Sequence, residues 1–178
     1  MSALRVERVL AQIVDETLAR FGGGATYFDR LDESLRRPEF FEALTDEVYA
    51  LHDILPHIVV TGQFGKAYQK WLAGANHARW PLGVGDVLVL PGHLRHHPTW
   101  AMDALMGRHL EPTYTFLDDS YFRGRTYDAV RKALAAKGSY CHDIFVLYDG
   151  SHDPNVGYHV NALYTYRYSN PTRTENPS

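Results

Sequence analysis

Cysteine is almost missing from this 178-residue chain: Cys141 stands alone. An internal disulfide is therefore excluded, and so is a zinc site built on four thiolates. A lone reduced thiol fits a cytoplasmic protein. Long apolar runs are missing too. Nothing approaches the roughly 20 residues that span a bilayer. The opening Met1-Ser-Ala-Leu-Arg-Val-Glu-Arg8 alternates apolar and charged residues, unlike a secretory signal, which needs a continuous apolar stretch. Charge of one sign is also lacking. Lys and Arg number 18 against 21 Asp and Glu, a net charge of −3. No basic field points to nucleic acid or to a membrane surface.

What is present suits one domain. Apolar residues make up 45% and charged residues 22%, enough for a core and ordinary for a globular chain. The expected division is a helical N-terminal part over 1–55, an α/β core over 56–168 and a polar tail over 169–178. The tail carries two prolines and no apolar residue, the composition of a disordered segment.

Helical spacing comes first along the chain. Val6, Val9, Leu10, Ile13 and Leu18 share one face of a helix, which Gly22-Gly23-Gly24 cannot continue. A second helix is expected from Pro38, with Phe41, Leu44, Val48 and Leu51 as its stripe, ending before Pro56. These helices suit a hood or a dimerisation surface, which leaves a homodimer open. The rhythm then changes. Ile58–Val60, Val87–Leu90, Tyr114–Leu117 and Ile144–Leu147 are short β-branched or apolar runs of the kind buried in parallel sheets. Helices are expected between them over 66–72, 100–106 and 127–136. A further edge strand or hairpin arm is expected in 158–168. Alternation of strand and helix predicts an α/β fold with a parallel central sheet flanked by helices, Rossmann-like in layout. In such sheets ligands bind beyond the carboxyl ends of the strands. The glycine-containing turns 61–66 and 118–126 both follow strands, so both fall on that edge.

The second turn carries the chemistry. Asp118 and Asp119 leave a strand, and Ser120-Tyr-Phe-Arg-Gly-Arg-Thr126 then feeds a helix. A helix N-terminus presents unpaired N–H groups and the positive end of a dipole, which favours phosphate. Gly124 allows close backbone approach. Thr126 is placed to cap the helix and meet a phosphate oxygen. Arg123 and Arg125 add two permanent cations with forked donors. Carboxylates nearby suit ribose hydroxyls or a magnesium ion.

An apolar strand, two acidic residues, four variable residues and Gly-x-Thr at a helix start together resemble the type I phosphoribosyltransferase family. Here the pattern is Thr115-Phe-Leu, Asp118-Asp119, Ser-Tyr-Phe-Arg, Gly124-Arg-Thr126. The likeness covers about the central hundred residues, and its sharp part is this ten-residue motif. It implies that Asp118 and Asp119 contact the ribose hydroxyls and favour the charged ring in the transition state. It also implies that they hold Mg2+ through the ribose or water. Phe122, Arg123, Gly124, Arg125 and Thr126 would hold the 5-phosphate of phosphoribosyl pyrophosphate. Gly62, Gln63, Gly65 and Lys66 stand where the family binds pyrophosphate. The implied reaction transfers the phosphoribosyl group to a nitrogenous acceptor base that the sequence does not identify. Two departures stand out. Phe122 occupies a position where members often carry an aspartate, and Arg123 one where they often carry a hydroxyl. Phe122 cannot accept a proton, which favours the alternative of a non-catalytic phosphoribosyl or nucleotide sensor. A third alternative is a partner-binding domain with a relic motif.

Other features read more plainly. Pro91, Gly92 and Pro98 exclude the helix on which His93 and His97 would share a face. His93, His96 and His97 are therefore expected on a solvated or substrate-contacting loop, and His142 lacks a partner at metal-ligand spacing. Most of the tyrosines in 158–168 are expected in packing, with base stacking as the other use.

Overall fold

The computed structural model describes residues 3–16, 24–37, 39–40, 43, 57–74, 87–91, 97–151 and 159–165. Among the described residues five strands form one sheet: β1 (Ile58–Thr61), β2 (Val87–Leu90), β3 (Thr113–Tyr121), β4 (Tyr140–Asp149) and β5 (Val160–Thr165). Their order is β2-β1-β3-β4-β5, and every pairing is parallel. The expected strands are therefore present. The segment within 158–168 is a parallel edge strand rather than a hairpin arm.

Two helical layers cover the sheet. On one face lie α1 (Ala3–Val14), α2 (Gly24–Leu35) and α3 (Gly62–Gly74). Val6, Leu10, Ile13 and Val14 of α1, Tyr27 and Leu31 of α2, and Phe64 and Tyr68 of α3 pack there. They meet Ile58, Val60, Leu117, Phe145 and Leu147 of the sheet. On the other face lie α4 (Trp100–Ala104) and α5 (Arg125–Ala136). Trp100, Ala101, Tyr127, Val130, Ala133 and Leu134 there meet Val59, Phe116, Ile144 and Val146. Alternation of side chains along a strand supplies both cores. The helix α2 was not anticipated, although Tyr27 and Leu31 are four apart and both buried. Of the helix expected from Pro38, residues 39, 40 and 43 are helical, and its later stripe lies outside the described residues.

Strict alternation fails at one level of the sheet. Pairing skips from Asp118↔Val146 to Ser120↔Tyr148, and from Val146↔Ala162 to Tyr148↔Tyr164. Leu147 and Tyr148 consequently both enter the first core, with Leu163 and Tyr164 packed against it. Tyr121 enters the second. The offset between the strands is the same on either side of the skip, so the ends of β3, β4 and β5 turn over together without a change of register; the register shift in β3 lies between Tyr114 and Thr115.

The connection from β1 to α3 is tighter than the expected turn. Gly62 takes a left-handed φ of 64°, and the helix starts there rather than at Lys66. Gly65 then lies against β1, where an added β-carbon would stand 2.9 Å from Val60 Cγ2 and 3.2 Å from the Val60 carbonyl carbon. Replacing Gly65 by Ala gains about 1 kcal/mol of helix propensity. Overpacking a buried site costs about 1–3 kcal/mol, and Val60 is fully enclosed with its backbone part of the contact. Net destabilisation follows. Gly65→Ala should lower Tm by about 2–4 °C per kcal/mol lost, and a thermal melt in which Tm is unchanged or raised would contradict this packing.

Candidate functional site

The strand order reverses between β1 and β3, because the chain moves outward from β1 to β2 and then returns to the other side of β1. That crevice is where open parallel sheets place ligands. Around it stand the end of β1 with the start of α3, and the end of β3 with the start of α5. The two turns singled out in the sequence are therefore neighbours.

β3 is longer than its apolar residues indicated. It continues through Asp118 and Asp119 to Tyr121, so these acids belong to the strand and not to the loop. Both are only 3% exposed. Thr61 Oγ1 donates to Asp118 Oδ2 at 2.8 Å, and the Asp119 N–H donates to Asp118 Oδ1 at 3.0 Å. Asp118 thus shares the side of Thr61, towards α5. Asp119 lies on the other side. Its Oδ2 accepts from Ser120 Oγ at 2.7 Å, and its carbonyl accepts from Tyr27 Oη at 3.3 Å. Burial raises the Tyr27 hydroxyl well above its usual pKa, and the nearby Asp119, Tyr148 and Asp118 add to the effect. The two carboxylates that adjoin in sequence are thereby separated by the sheet.

Magnesium was expected at Asp118 and Asp119 through the ribose or water; each of these carboxylates accepts hydrogen bonds inside the fold. Among the described residues no three His, Cys, Asp or Glu side chains are grouped around a metal position. His97 lies 3.6 Å from Asp103 on the exposed start of α4. His93 and His96 lie outside the described residues, as does the side chain of His142.

The loop itself is three residues long, Phe122-Arg123-Gly124. Gly124 is the N-cap of α5, with φ 66° and no side-chain cap hydrogen bond. Thr126 is therefore inside the helix and is not its cap. A glycine cap leaves the first-turn N–H groups without a side-chain acceptor. Arg123 and Arg125 are exposed, and neither forms an ion pair among the described residues. Arg30, Arg36, Arg37 and Arg131 all hold carboxylates. Tyr121 through Thr126 line an open concavity of about 400 Å³, within the usual range for small-molecule sites. Gln63 and Lys66 are exposed on the first turns of α3, whereas Gly62 and Gly65 are buried. Gln63 and Lys66 are thus the exposed side chains of that group.

The loop is held from beneath by aromatic side chains. Phe122 meets Tyr148 edge to face, with centroids 5.6 Å apart, and Tyr148 stacks on Tyr164 at 6.0 Å. The Gly150 N–H donates to the Tyr121 carbonyl at 2.9 Å. Thr61, Tyr27, Tyr148 and Gly150 went unassigned in the sequence, since each matters through a partner distant along the chain. The one local signal was Thr61, a polar residue closing an apolar strand. Protein-family models searched with the chain give no match, and no curated protein matches it either.

Gly124 carries two constraints that can be separated. A β-carbon there would face both the left-handed φ and Tyr121 Oη at 2.4 Å. Gly124→Ala should destabilise the protein by about 1–3 kcal/mol. Adding Tyr121→Phe should recover part of that loss and never all of it, because the φ strain persists. Chemical denaturation of the two variants checks this, and full recovery would remove the backbone term. A second expectation concerns alkali. Burial, reinforced by Asp143, pushes the Cys141 thiol from 9.0 up to about 12. Above the ordinary thiol pKa the unfolded chain loses a proton that the native chain keeps. Stability should therefore fall between about pH 9 and 12, by up to about 1.4 kcal/mol per pH unit. Tyr27 adds the same sign above its ordinary 10.0. Cys141→Ala should flatten the decline between pH 9 and 10; an equally steep decline would show that the thiol is not its source.

Proposed function

We propose that the carboxyl edge of this sheet binds a 5-phosphorylated ribose, and that the protein is a phosphoribosyltransferase-like enzyme using phosphoribosyl pyrophosphate. The observation that supports this best is the opening of α5. A first turn with no side-chain cap hydrogen bond, a left-handed glycine and two arginines that form no ion pair among the described residues surround one concavity at the strand-order reversal. Each element favours a dianionic phosphate: the N–H groups by hydrogen bonding, the helix by its dipole, the guanidinium groups by charge-assisted bonds. Lys66 and Gln63, exposed at the start of α3, would meet the pyrophosphoryl group in this reading.

In the proposed reaction the bond from ribose C1 to the pyrophosphate oxygen breaks, with its electron pair leaving on pyrophosphate. A bond from C1 to a nitrogen of the acceptor forms, and the acceptor's proton passes to solvent or to pyrophosphate. Phe122 cannot take it. Catalysis would rest on placement and on charge around the developing cationic ring. Magnesium in this scheme arrives with the pyrophosphate as part of the substrate.

One observation favours binding without transfer. Asp118 and Asp119 are enclosed on opposite sides of the sheet, so they do not form a joint wall against a ribose ring. The sensor alternative retains the phosphate loop and needs no such wall.

Calorimetric titration with phosphoribosyl pyrophosphate and magnesium, against ribose 5-phosphate, tests the site. Micromolar-class binding, about −8 kcal/mol, is expected for the first ligand and weaker binding for the second. Arg123→Ala and Arg125→Ala should each weaken affinity roughly 10- to 100-fold, as loss of a charge-assisted hydrogen bond does. Heat signals untouched by either substitution would rule out this loop as the phosphate site. Pyrophosphate release with a panel of nitrogenous bases separates transferase from sensor.

A further inference from the structure

Phe122 is the residue of the loop that phosphate chemistry does not explain. It is a large apolar side chain, 38% exposed, between a strand end and two arginines. Its exposure is not slackness. A β-carbon at Gly150 would lie 2.6 Å from Phe122 Cε1, 2.9 Å from Phe122 Cδ1 and 2.8 Å from Tyr148 Oη. The ring therefore rests on the bare backbone of Gly150 and against Tyr148, which is itself fully buried and stacked on Tyr164. The Gly150 N–H to Tyr121 carbonyl hydrogen bond fixes the height of the two strand ends. One part of the ring is clamped, and the rest is presented beside the concavity.

From this arrangement we infer that Phe122 is a stacking platform for a planar heterocycle attached to the phosphorylated ribose, and so sets the ligand class as an aromatic nucleotide or its base. The inference rests on the ribose-phosphate assignment above. Phe122 and Gly124 are two residues apart, at most about 7 Å of chain. The platform and the phosphate cradle are thus separated by the span of a ribose. A pre-positioned aromatic face gains stacking without first ordering a side chain, and stacking tolerates many bases because each has a π-face. A carboxylate at position 122 would instead hydrogen-bond selected base edges. Phenylalanine gives breadth among heterocycles and no proton transfer. Cationic Arg123 and Arg125 beside the ring keep the same ligand anchored at its phosphate end.

Calorimetry with adenosine 5-monophosphate and ribose 5-phosphate provides the test, on the wild type and on Phe122→Tyr and Phe122→Leu. Thermal melts establish that each variant is folded. The wild type should bind the nucleotide roughly five- to hundredfold more tightly than the sugar phosphate. Phe122→Tyr should keep that ratio. Phe122→Leu, which preserves apolar bulk without a π-face, should bring it close to one. Equal affinities in the wild type, or a ratio that survives Phe122→Leu, overturn the platform and leave the phosphate site standing. Silence towards both ligands overturns the phosphate site and the platform with it.

Discussion

A hydrogen bond between two buried side chains from different strands holds the carboxyl edge together. Thr61 closes β1, Asp118 lies in β3, and 57 residues separate them along the chain. A carboxylate taken out of water needs its acceptor sites filled, or it becomes a liability of several kcal/mol. Thr61 and the Asp119 N–H fill two of them. Meeting that need fixes β1 and β3 side by side at the point where strand order reverses. The starts of α3 and α5, which follow those strands directly, are positioned by the same contact.

The slip in strand alternation has the next largest consequence. With unbroken alternation Tyr148 would point towards α5 and leave the first core. Displaced by one residue, it stands under Phe122 and beside Tyr27, whose ring centroid is 6.4 Å away. The first helical layer and the loop at the end of β3 therefore share a buried tyrosine. Tyr27 reaches further, to the Asp119 carbonyl. The N-terminal helices are in this way part of the support for the acidic strand. They form more than a cover over an apolar face.

Glycine is used here at two points where no other residue serves. Gly124 turns the chain with a left-handed φ and caps α5 without blocking its first N–H groups. Gly150 gives Phe122 a seat that any β-carbon would occupy. Together they leave a backbone cradle and an aromatic surface on adjacent strand ends. Each is created by an omitted side chain.

The α/β class, the four core strands and the helix after the Asp-Asp motif were legible from local pattern. Runs such as Ile58-Val-Val and Val87-Leu-Val-Leu have few ways to bury themselves other than as inner parallel strands. Arg123, Gly124 and Arg125 were legible as a loop because glycine and charge break such runs. The tertiary structure decided the rest. Asp118 and Asp119 read as loop residues, since carboxylates rarely remain in a buried strand; Thr61, Ser120 and the neighbouring backbone help make them tolerable there. Which face each acid takes, and which aromatic lies beneath Phe122, depended on where the paired strands turn over together. That is a relation between distant segments, and no local sequence pattern encodes it.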